Sequence, residues 1–295
     1  GREVFQYDQT TGEITIAVDR KTSGNGNSFP TDLTVYSGKL YFSAEASDGD
    51  RELHVFDPSD SSVSEITVNP STSGEVRDLI VFSSSLYFKA DSGNGVELHK
   101  YDGAGSPSEV KDENTGGNFL PSGGTSSFPV VFRDKLYLKG ASDGSDYELW
   151  SVSSSGVFTE VSNFPGSGLP EYLTVHDDQL FFAADGAAGQ ELYVYDGTDV
   201  SLVDDFVAGA GDFKPQNLYS FQTDLYFSGD TPAEGRELYK YDGTSISLVK
   251  DINPGGGDGT PGGFDTEFLS YNGKLYFQAN DGTNGAELHA FDPNT

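Results

Sequence analysis

Most side chains in this chain that could bind a metal ion or transfer a proton are carboxylates, with 47 acidic against 17 basic residues. Aspartates gather in short segments rich in Asp and Gly, and carboxylate oxygens are the ligands that calcium prefers. The candidate calcium ligands are Asp48, Asp50, Asp143, Asp146 and Asp281. None of these segments has the twelve-residue EF-hand spacing, and Asp-Gly-Asp is also common in ordinary turns. Calcium is therefore the one cofactor that the sequence suggests.

A second set of carboxylates recurs at regular intervals, each as the first residue of a segment such as ELYKYD. Its members are Glu52, Glu97, Glu148, Glu191, Glu237 and Glu287. A ring of catalytic acids is one interpretation, but an active site usually breaks the symmetry of a repeat. No repeat contains a Ser-His-Asp, Cys-His or paired-carboxylate constellation, so no catalytic residue is predicted. We expect each glutamate to accept backbone N–H bonds from the loop before it, as a structural brace.

Three of the four histidines, His54, His99 and His289, share one position of the recurring segment. A common position could indicate a metal site. However, other copies carry Trp150 or Tyr193 there. The position is therefore interpreted as an aromatic packing position.

A repeat of about 47 residues positions all these groups, because the recurring segment starts at Glu3 and then at each of the six glutamates above. Each unit is predicted to form four strands: a tight A–B hairpin, the recurring segment as strand C, and a short strand D. Strand C is apolar on both faces, which indicates a sheet covered on each side. The prediction is an all-β fold, a six-bladed β-propeller of four-stranded antiparallel blades. A sandwich or barrel would show cleaner alternation, and a linear solenoid would have atypical end repeats.

One domain, 1–295, is expected to contain the repeats 33–69, 79–113, 129–163, 173–206, 218–252 and 268–295, with 1–19 added to the last. Strand C occurs seven times but the other strands six times, since the chain starts with C and D and the final repeat lacks D. The N-terminal strand 13–18 should then complete the last sheet and close the ring. The surplus copy of C could form a fifth outer strand or pair with another molecule, which would allow self-assembly.

Composition excludes several functions. A net charge of −30 argues against nucleic acid as a partner, because phosphates would be repelled. No apolar run is long enough for a transmembrane helix. The chain has no cysteine, so disulfides do not indicate its compartment. Gly1 falls inside a repeat, and an extracellular protein would already have lost its signal peptide.

The segments NDGTNGAEL, from Asn280, and ELYKYDGT, from Glu237, resemble the ELWxxDGT repeat family, and the likeness extends over most of the chain. It is more distantly similar to TolB-type and Kelch propellers. The resemblance implies a propeller within a secreted or surface protein, mostly bacterial, and it implies no catalytic residues. Two departures are the single tryptophan, Trp150, and Ser153 in place of the closing aspartate.

These observations lead to the expectation of a non-catalytic extracellular or surface-associated module that binds a protein or glycan, assisted by calcium. One alternative is a subunit of an extracellular filament or surface assembly. The other is a metal-dependent hydrolase or lyase with an acidic site at the axial mouth of the propeller.

Overall fold

The structure is a computed structural model that describes residues 2–19, 27–45, 49–122, 128–260 and 268–294. Within these ranges the regular secondary structure consists of strands only. Alternating aromatic and β-branched residues account for these strands, and Gly- and Asp-rich segments separate them. No helix in the described ranges is long and apolar enough to cross a membrane.

In the described part of the chain the strands form seven sheets. The first is a hairpin of β1 (Val4–Tyr7) and β2 (Ile14–Val18). The second contains β3 (Thr31–Tyr36), β4 (Lys39–Glu45), β5 (Arg51–Asp57) and β6 (Ser62–Ile66). The third contains β7 (Arg77–Phe82), β8 (Ser85–Asp91), β9 (Val96–Tyr101) and β10 (Ser108–Glu109). The fourth contains β11 (Val130–Phe132), β12 (Lys135–Gly140), β13 (Glu148–Ser153) and β14 (Phe158–Glu160).

The fifth sheet contains β15 (Glu171–His176), β16 (Gln179–Gly186), β17 (Gly189–Tyr195) and β18 (Val200–Leu202). The sixth contains β19 (Gln216–Phe221), β20 (Asp224–Thr231), β21 (Gly235–Tyr241) and β22 (Ile246–Lys250). The seventh contains only β23 (Leu269–Tyr271), β24 (Lys274–Asn280) and β25 (Ala286–Phe291).

Each four-stranded sheet is antiparallel, with its strands paired in sequence order, as the A–B–C–D assignment predicts. The all-β prediction is confirmed, and so are the five complete four-stranded units. The hairpin β1–β2 and the sheet β23–β25 form separate sheets among the described strands. Six blades, and closure of a ring by the N-terminal strands, stay predictions.

Two-residue turns connect strands A and B, and in every such sheet but the sixth both turn residues lie in the left-handed region of backbone space. Asn272 and Gly273 have φ of 49° and 76°, as in a type I′ turn. Arg133 and Asp134 take the same conformation with φ of 43° and 61°, although neither is glycine. A two-residue A–B turn therefore adopts this conformation even where neither residue is glycine.

Hydrophobic layers lie between the second and third, the fourth and fifth, the fifth and sixth, and the sixth and seventh sheets. In one layer Tyr41 and Leu53, on strands B and C of their sheet, pack against Leu86 and Phe88 of the next sheet. The strand-B leucines Leu86, Leu136, Leu180, Leu225 and Leu275 are all 0% exposed, whereas Leu40 is half-buried. The fifth and sixth sheets are therefore covered on both faces by neighbouring sheets.

The chain divides into two compact units. The first comprises residues 1–124, 141–144 and 154–156, and the second comprises 125–140, 145–153 and 157–295. The single-domain assignment stays a prediction.

Candidate functional site

The repeated glutamate at the start of strand C is a buried hydrogen-bond acceptor. Glu52 is 3% exposed. Its Oε2 accepts the N–H of Val68 at 2.7 Å, and its Oε1 accepts the N–H groups of Asn69 at 3.4 Å and Gly74 at 3.1 Å. All three donors belong to the segment between strand D of this sheet and strand A of the next. The carboxylate therefore fixes the D–A linker to the start of strand C.

The same contact recurs in other sheets. Glu97 accepts the N–H of Phe119 at 2.9 Å, and Glu237 accepts those of Ile252 at 2.8 Å and Asn253 at 3.1 Å. The predicted brace is confirmed, but the predicted donors were wrong: they lie in the D–A linker, not in the B–C loop. The glutamate side chain lies on the buried face of strand C, and the D–A linker covers that face.

Glycines permit this close approach of linker and carboxylate. A Cβ atom placed on Gly74 would lie 2.7 Å from Oε2 of Glu52, and one on Gly259 would lie 2.2 Å from Oε2 of Glu237. Both distances are shorter than any ordinary van der Waals contact of a methyl group. The glycine-rich composition of the linkers therefore has a direct role in forming the brace.

Burial makes these glutamates weak acids. It raises the pKa of Glu52 to about 6, of Glu191 to about 7 and of Glu97 to about 8, from an ordinary value of 4.5. Oε2 of Glu97 and of Glu191 has no hydrogen-bond partner in the described part of the chain, whereas both oxygens of Glu52 accept N–H bonds. Among these three glutamates the rise is therefore smallest for Glu52, where backbone donors compensate the lost hydration most completely.

Two buried arginines precede the brace glutamates and were not identified from the sequence. Arg51 Nη1 donates to Ser43 Oγ at 3.0 Å, and Arg236 Nη1 donates to Ser228 Oγ at 3.4 Å. Arg51 and Arg236 are 7% and 6% exposed. Both arginines directly precede a brace glutamate, and this shared position is the sequence signal that could have identified them.

In two other sheets a lysine replaces the serine of strand B and supplies the buried cation. Lys89 Nζ lies 2.9 Å from a carboxylate oxygen of Asp78, and Lys139 Nζ lies 3.2 Å from one of Glu171. A buried charge of this kind needs a paired partner, and each lysine has one. Four sheets thus carry a buried cation at an equivalent position. Strand C supplies it as an arginine in two sheets and strand B as a lysine in the other two, so a search for one residue type at one sequence position would miss the pattern.

The candidate calcium ligands do not form a single cluster. Asp48 lies outside the described residues, Asp50 is half-buried, and Asp143 and Asp146 are exposed on the loop between β12 and β13. The described ranges contain no group of three or more His, Asp or Glu side chains that could hold a metal ion. Calcium binding stays a prediction.

Asp281 organises its own loop. Its carboxylate accepts the N–H groups of Thr283 at 2.9 Å and Asn284 at 2.8 Å, and the side-chain amide of Asn284 donates to it at 2.8 Å. These hydrogen bonds lower the pKa of Asp281. The segment Asp-Gly-Thr-Asn therefore forms a turn closed by its first residue.

The histidine position is an aromatic packing position, as predicted. The ring of His54 stacks on Phe42 at 5.5 Å between centroids, and that of His99 stacks on Phe88 at 6.0 Å. Tyr193 stacks on Phe182 at the same place in another sheet. These imidazoles thus replace an aromatic ring in the core.

Comparison with solved structures shows the fold. A structure from a study of two prolyl endopeptidases matches with a TM-score of 0.60 and 13% identity, over 98% of this chain and 46% of that one. A puromycin-hydrolyzing peptidase of Mycobacterium tuberculosis matches with a TM-score of 0.56 and 13% identity, over 90% and 45%. The β-propeller domain of the Trilobed protease from Pyrococcus furiosus matches with a TM-score of 0.51 and 14% identity, over 90% and 82%. The chain has a β-propeller fold and spans less than half the length of the two peptidases.

No family model matches the sequence. No curated protein matches it either. The fold implied by the resemblance to the ELWxxDGT, TolB-type and Kelch repeats is a propeller, which the structural matches support, but membership of the ELWxxDGT family is not confirmed.

The expectation of a non-catalytic extracellular module needs correction. The structural neighbours include peptidases, in which the matched region is about half of the chain. A stand-alone module without a role in catalysis is therefore not established, and the same applies to the filament alternative. The sequence pointed away from enzymes because it contains no catalytic constellation of its own, and this pattern is also what a propeller region of a larger enzyme would show.

Proposed function

We propose that this chain is the propeller region of a peptidase-type hydrolase and that it receives and positions peptide substrates. The supporting observation is the match of 90% or more of the chain to less than half of two peptidases. The braced linkers fit this role, since a substrate-positioning region gains from a rigid scaffold. A sequence identity of 13% supports the fold only, so the role in peptide handling is what we propose.

Peptide binding by the chain itself tests this proposal. Unstructured fluorescent peptides of about 6–12 residues with no net charge are titrated against the chain, because a charge of −30 would attract any basic peptide. We expect saturable binding of the peptides, measured by fluorescence anisotropy. A folded control protein that carries the same label and a net charge similar to that of the peptides should not bind. Absence of saturable binding up to millimolar peptide would overturn the proposal. Cleavage of the peptides, followed by mass spectrometry, would also overturn it by placing catalysis within this chain.

We also propose that the propeller has six blades and that β2 completes the sheet β23–β25. This closure is supported by the lack of a fourth strand in that sheet among the described residues and by exposed apolar side chains on the hairpin, Ile14 at 70% and Ile16 at 54%. Amide hydrogen exchange tests it, because pairing would protect the outward N–H groups of β25 as strongly as those of β21. Removal of residues 1–19 should then abolish that protection. Fast exchange in the intact chain would exclude closure by this route.

A further inference from the structure

A cavity of about 460 Å³ opens at the edge of the sixth sheet. The loop 231–234 between β20 and β21 forms one side, and the linker residues 206–208 form the other. Apolar side chains dominate the walls, including Phe206, Val207, Pro232, Ala233 and Leu248. The volume falls in the range of about 300–1,000 Å³ that is typical of small-molecule sites.

Aromatic packing forms the floor of the cavity. Tyr239 is 1% exposed, and its ring meets Phe206 edge-on at 5.4 Å between centroids. Phe206 in turn packs against Phe213 at 4.4 Å. Leu248 at the mouth is 39% exposed. The floor is therefore formed before any ligand arrives, while an apolar surface remains open to solvent.

One carboxylate lies at the rim of this apolar cavity. The backbone N–H of Glu234 donates to Thr231 Oγ1 at 3.1 Å, and the Thr231 hydroxyl donates to the Glu234 carboxylate. A carboxylate offers about four acceptor positions, so Glu234 retains the capacity to bind a cation.

Acidic groups also surround the floor. Burial raises the pKa of the Tyr239 hydroxyl, its hydrogen bond with Thr231 lowers it, and the carboxylates of Glu234, Glu237 and Asp230 add to the rise. The cavity thus combines apolar walls with negative potential, a combination that favours a ligand with an apolar body and a positive charge.

The preceding sheet provides a matched contrast. Tyr193 is the equivalent of Tyr239, but there the loop lies directly on the ring, since a Cβ placed on Gly186 would be 2.0 Å from the Tyr193 hydroxyl. The loop of the sixth sheet is one residue longer, and its Pro232 and Ala233 line the cavity beside Tyr239. The longer loop between β20 and β21 is therefore what forms the cavity in the sixth sheet.

We propose that the cavity between residues 206–208 and 231–234 binds an aromatic or aliphatic group that carries a primary ammonium. The apolar body packs on Phe206, Tyr239 and Leu248, and the ammonium pairs with Glu234. The inference goes beyond the peptide-handling proposal and does not depend on it, because a small amine is sufficient as a ligand.

Three probes that differ in one group test the inference: 4-phenylbutylamine, 4-phenylbutanol and 4-phenylbutyrate. Amide and methyl NMR shifts are followed during titration of the whole chain. We expect shifts at Ala208, Ala233 and Leu248 with a dissociation constant for the amine of about 1 mM or less. The alcohol should bind more weakly than the amine, and the carboxylate most weakly.

Two variants and one control complete the test. Glu234→Gln should weaken the amine by about two- to fivefold and leave the alcohol unchanged, as expected for a partly exposed ion pair. Ala233→Phe fills the cavity and should weaken both by more than about tenfold. Ala187→Phe, the same substitution in the loop of the fifth sheet, should change neither. Equal affinity for all three probes, or shifts that survive Ala233→Phe in a folded variant, would overturn the proposal.

Discussion

The sixth and seventh sheets carry the same recurring segment in two different environments. Leu238 of β21 is 1% exposed, whereas Leu288, its equivalent on β25, is 76% exposed. Glu237 is 0% exposed and accepts two backbone N–H bonds, whereas Glu287 is exposed. An identical Glu-Leu pair is thus a core element in one sheet and a surface element in the other.

The difference arises from what covers each sheet and not from the segment itself. Leu225 and Leu275, on strand B of the two sheets, are both 0% exposed, so each sheet is covered on one face. The second face of the sixth sheet packs against Phe268 and Phe277 of the seventh. The linker after β22 meanwhile folds back onto Glu237. Burial of the motif therefore depends on the elements that follow it.

The largest effect that the comparison predicts concerns the paired leucines. Leu238→Ala should lower the free energy of unfolding by about 2–5 kcal/mol, because it leaves a cavity between the sixth and seventh sheets. Leu288→Ala, the matched control, should change it by less than about 0.5 kcal/mol as long as the second face of the seventh sheet stays uncovered. Urea denaturation measures both. Equal losses would show that this face is covered in solution, as closure of the ring by β2 requires.

A smaller effect is expected at the glutamates. Glu237→Gln places an amide NH₂ against backbone N–H donors, so at least one buried hydrogen bond of the brace is lost, at a cost of about 1–3 kcal/mol. Glu287→Gln should remain within about 0.5 kcal/mol of the parent chain. Hydrogen exchange at Ile252 and Asn253 should accelerate only in the first variant. Unchanged exchange there would mean that Glu237 does not hold the linker.

The pH dependence distinguishes the internal copies from each other. Because the pKa of Glu97 is raised from 4.5 to about 8, the folded state retains a proton between these values that the unfolded state has lost. The contribution of Glu97 to stability is complete below pH 4.5 and declines as pH rises to 8, at no more than about 1.4 kcal/mol per pH unit.

Glu97→Gln cannot release this proton. The difference in free energy of unfolding between the parent chain and Glu97→Gln should therefore decrease between pH 5 and 8. The corresponding difference for Glu52→Gln should decrease less, since the pKa of Glu52 rises only to about 6. Leu288→Ala, which removes no titrating group, should parallel the parent. Parallel profiles for all variants would contradict a raised pKa in the brace.

The smallest expected effect is that of calcium on the seventh sheet and its Asp281 loop. At a calcium concentration equal to the dissociation constant, binding to the folded state adds about 0.4 kcal/mol. Calcium-specific stabilisation should appear as a higher Tm in calcium than in magnesium at the same concentration. Asp281→Asn should reduce this difference in Tm. Identical shifts with both ions would indicate charge screening alone.

The sequence by itself determined the strands, their order within each unit and the turns. These features are local: a two-residue turn such as Asn272-Gly273 and a segment such as Leu-Tyr-Phe need only their neighbours along the chain. The sequence also indicated that the repeated glutamates are structural. It did not identify their donors, which lie about 15–22 residues further on in linkers without a regular pattern.

Only the tertiary structure decided which copies of a motif are buried. Leu238 and Leu288 occupy the same position of the recurring segment, but only Leu238 is covered by a following sheet. The cavity near Glu234 and the raised pKa of Glu97 have the same origin, because both require segments distant along the chain to enclose a side chain. Burial and hydration depend on non-local contacts, which a repeat pattern does not encode.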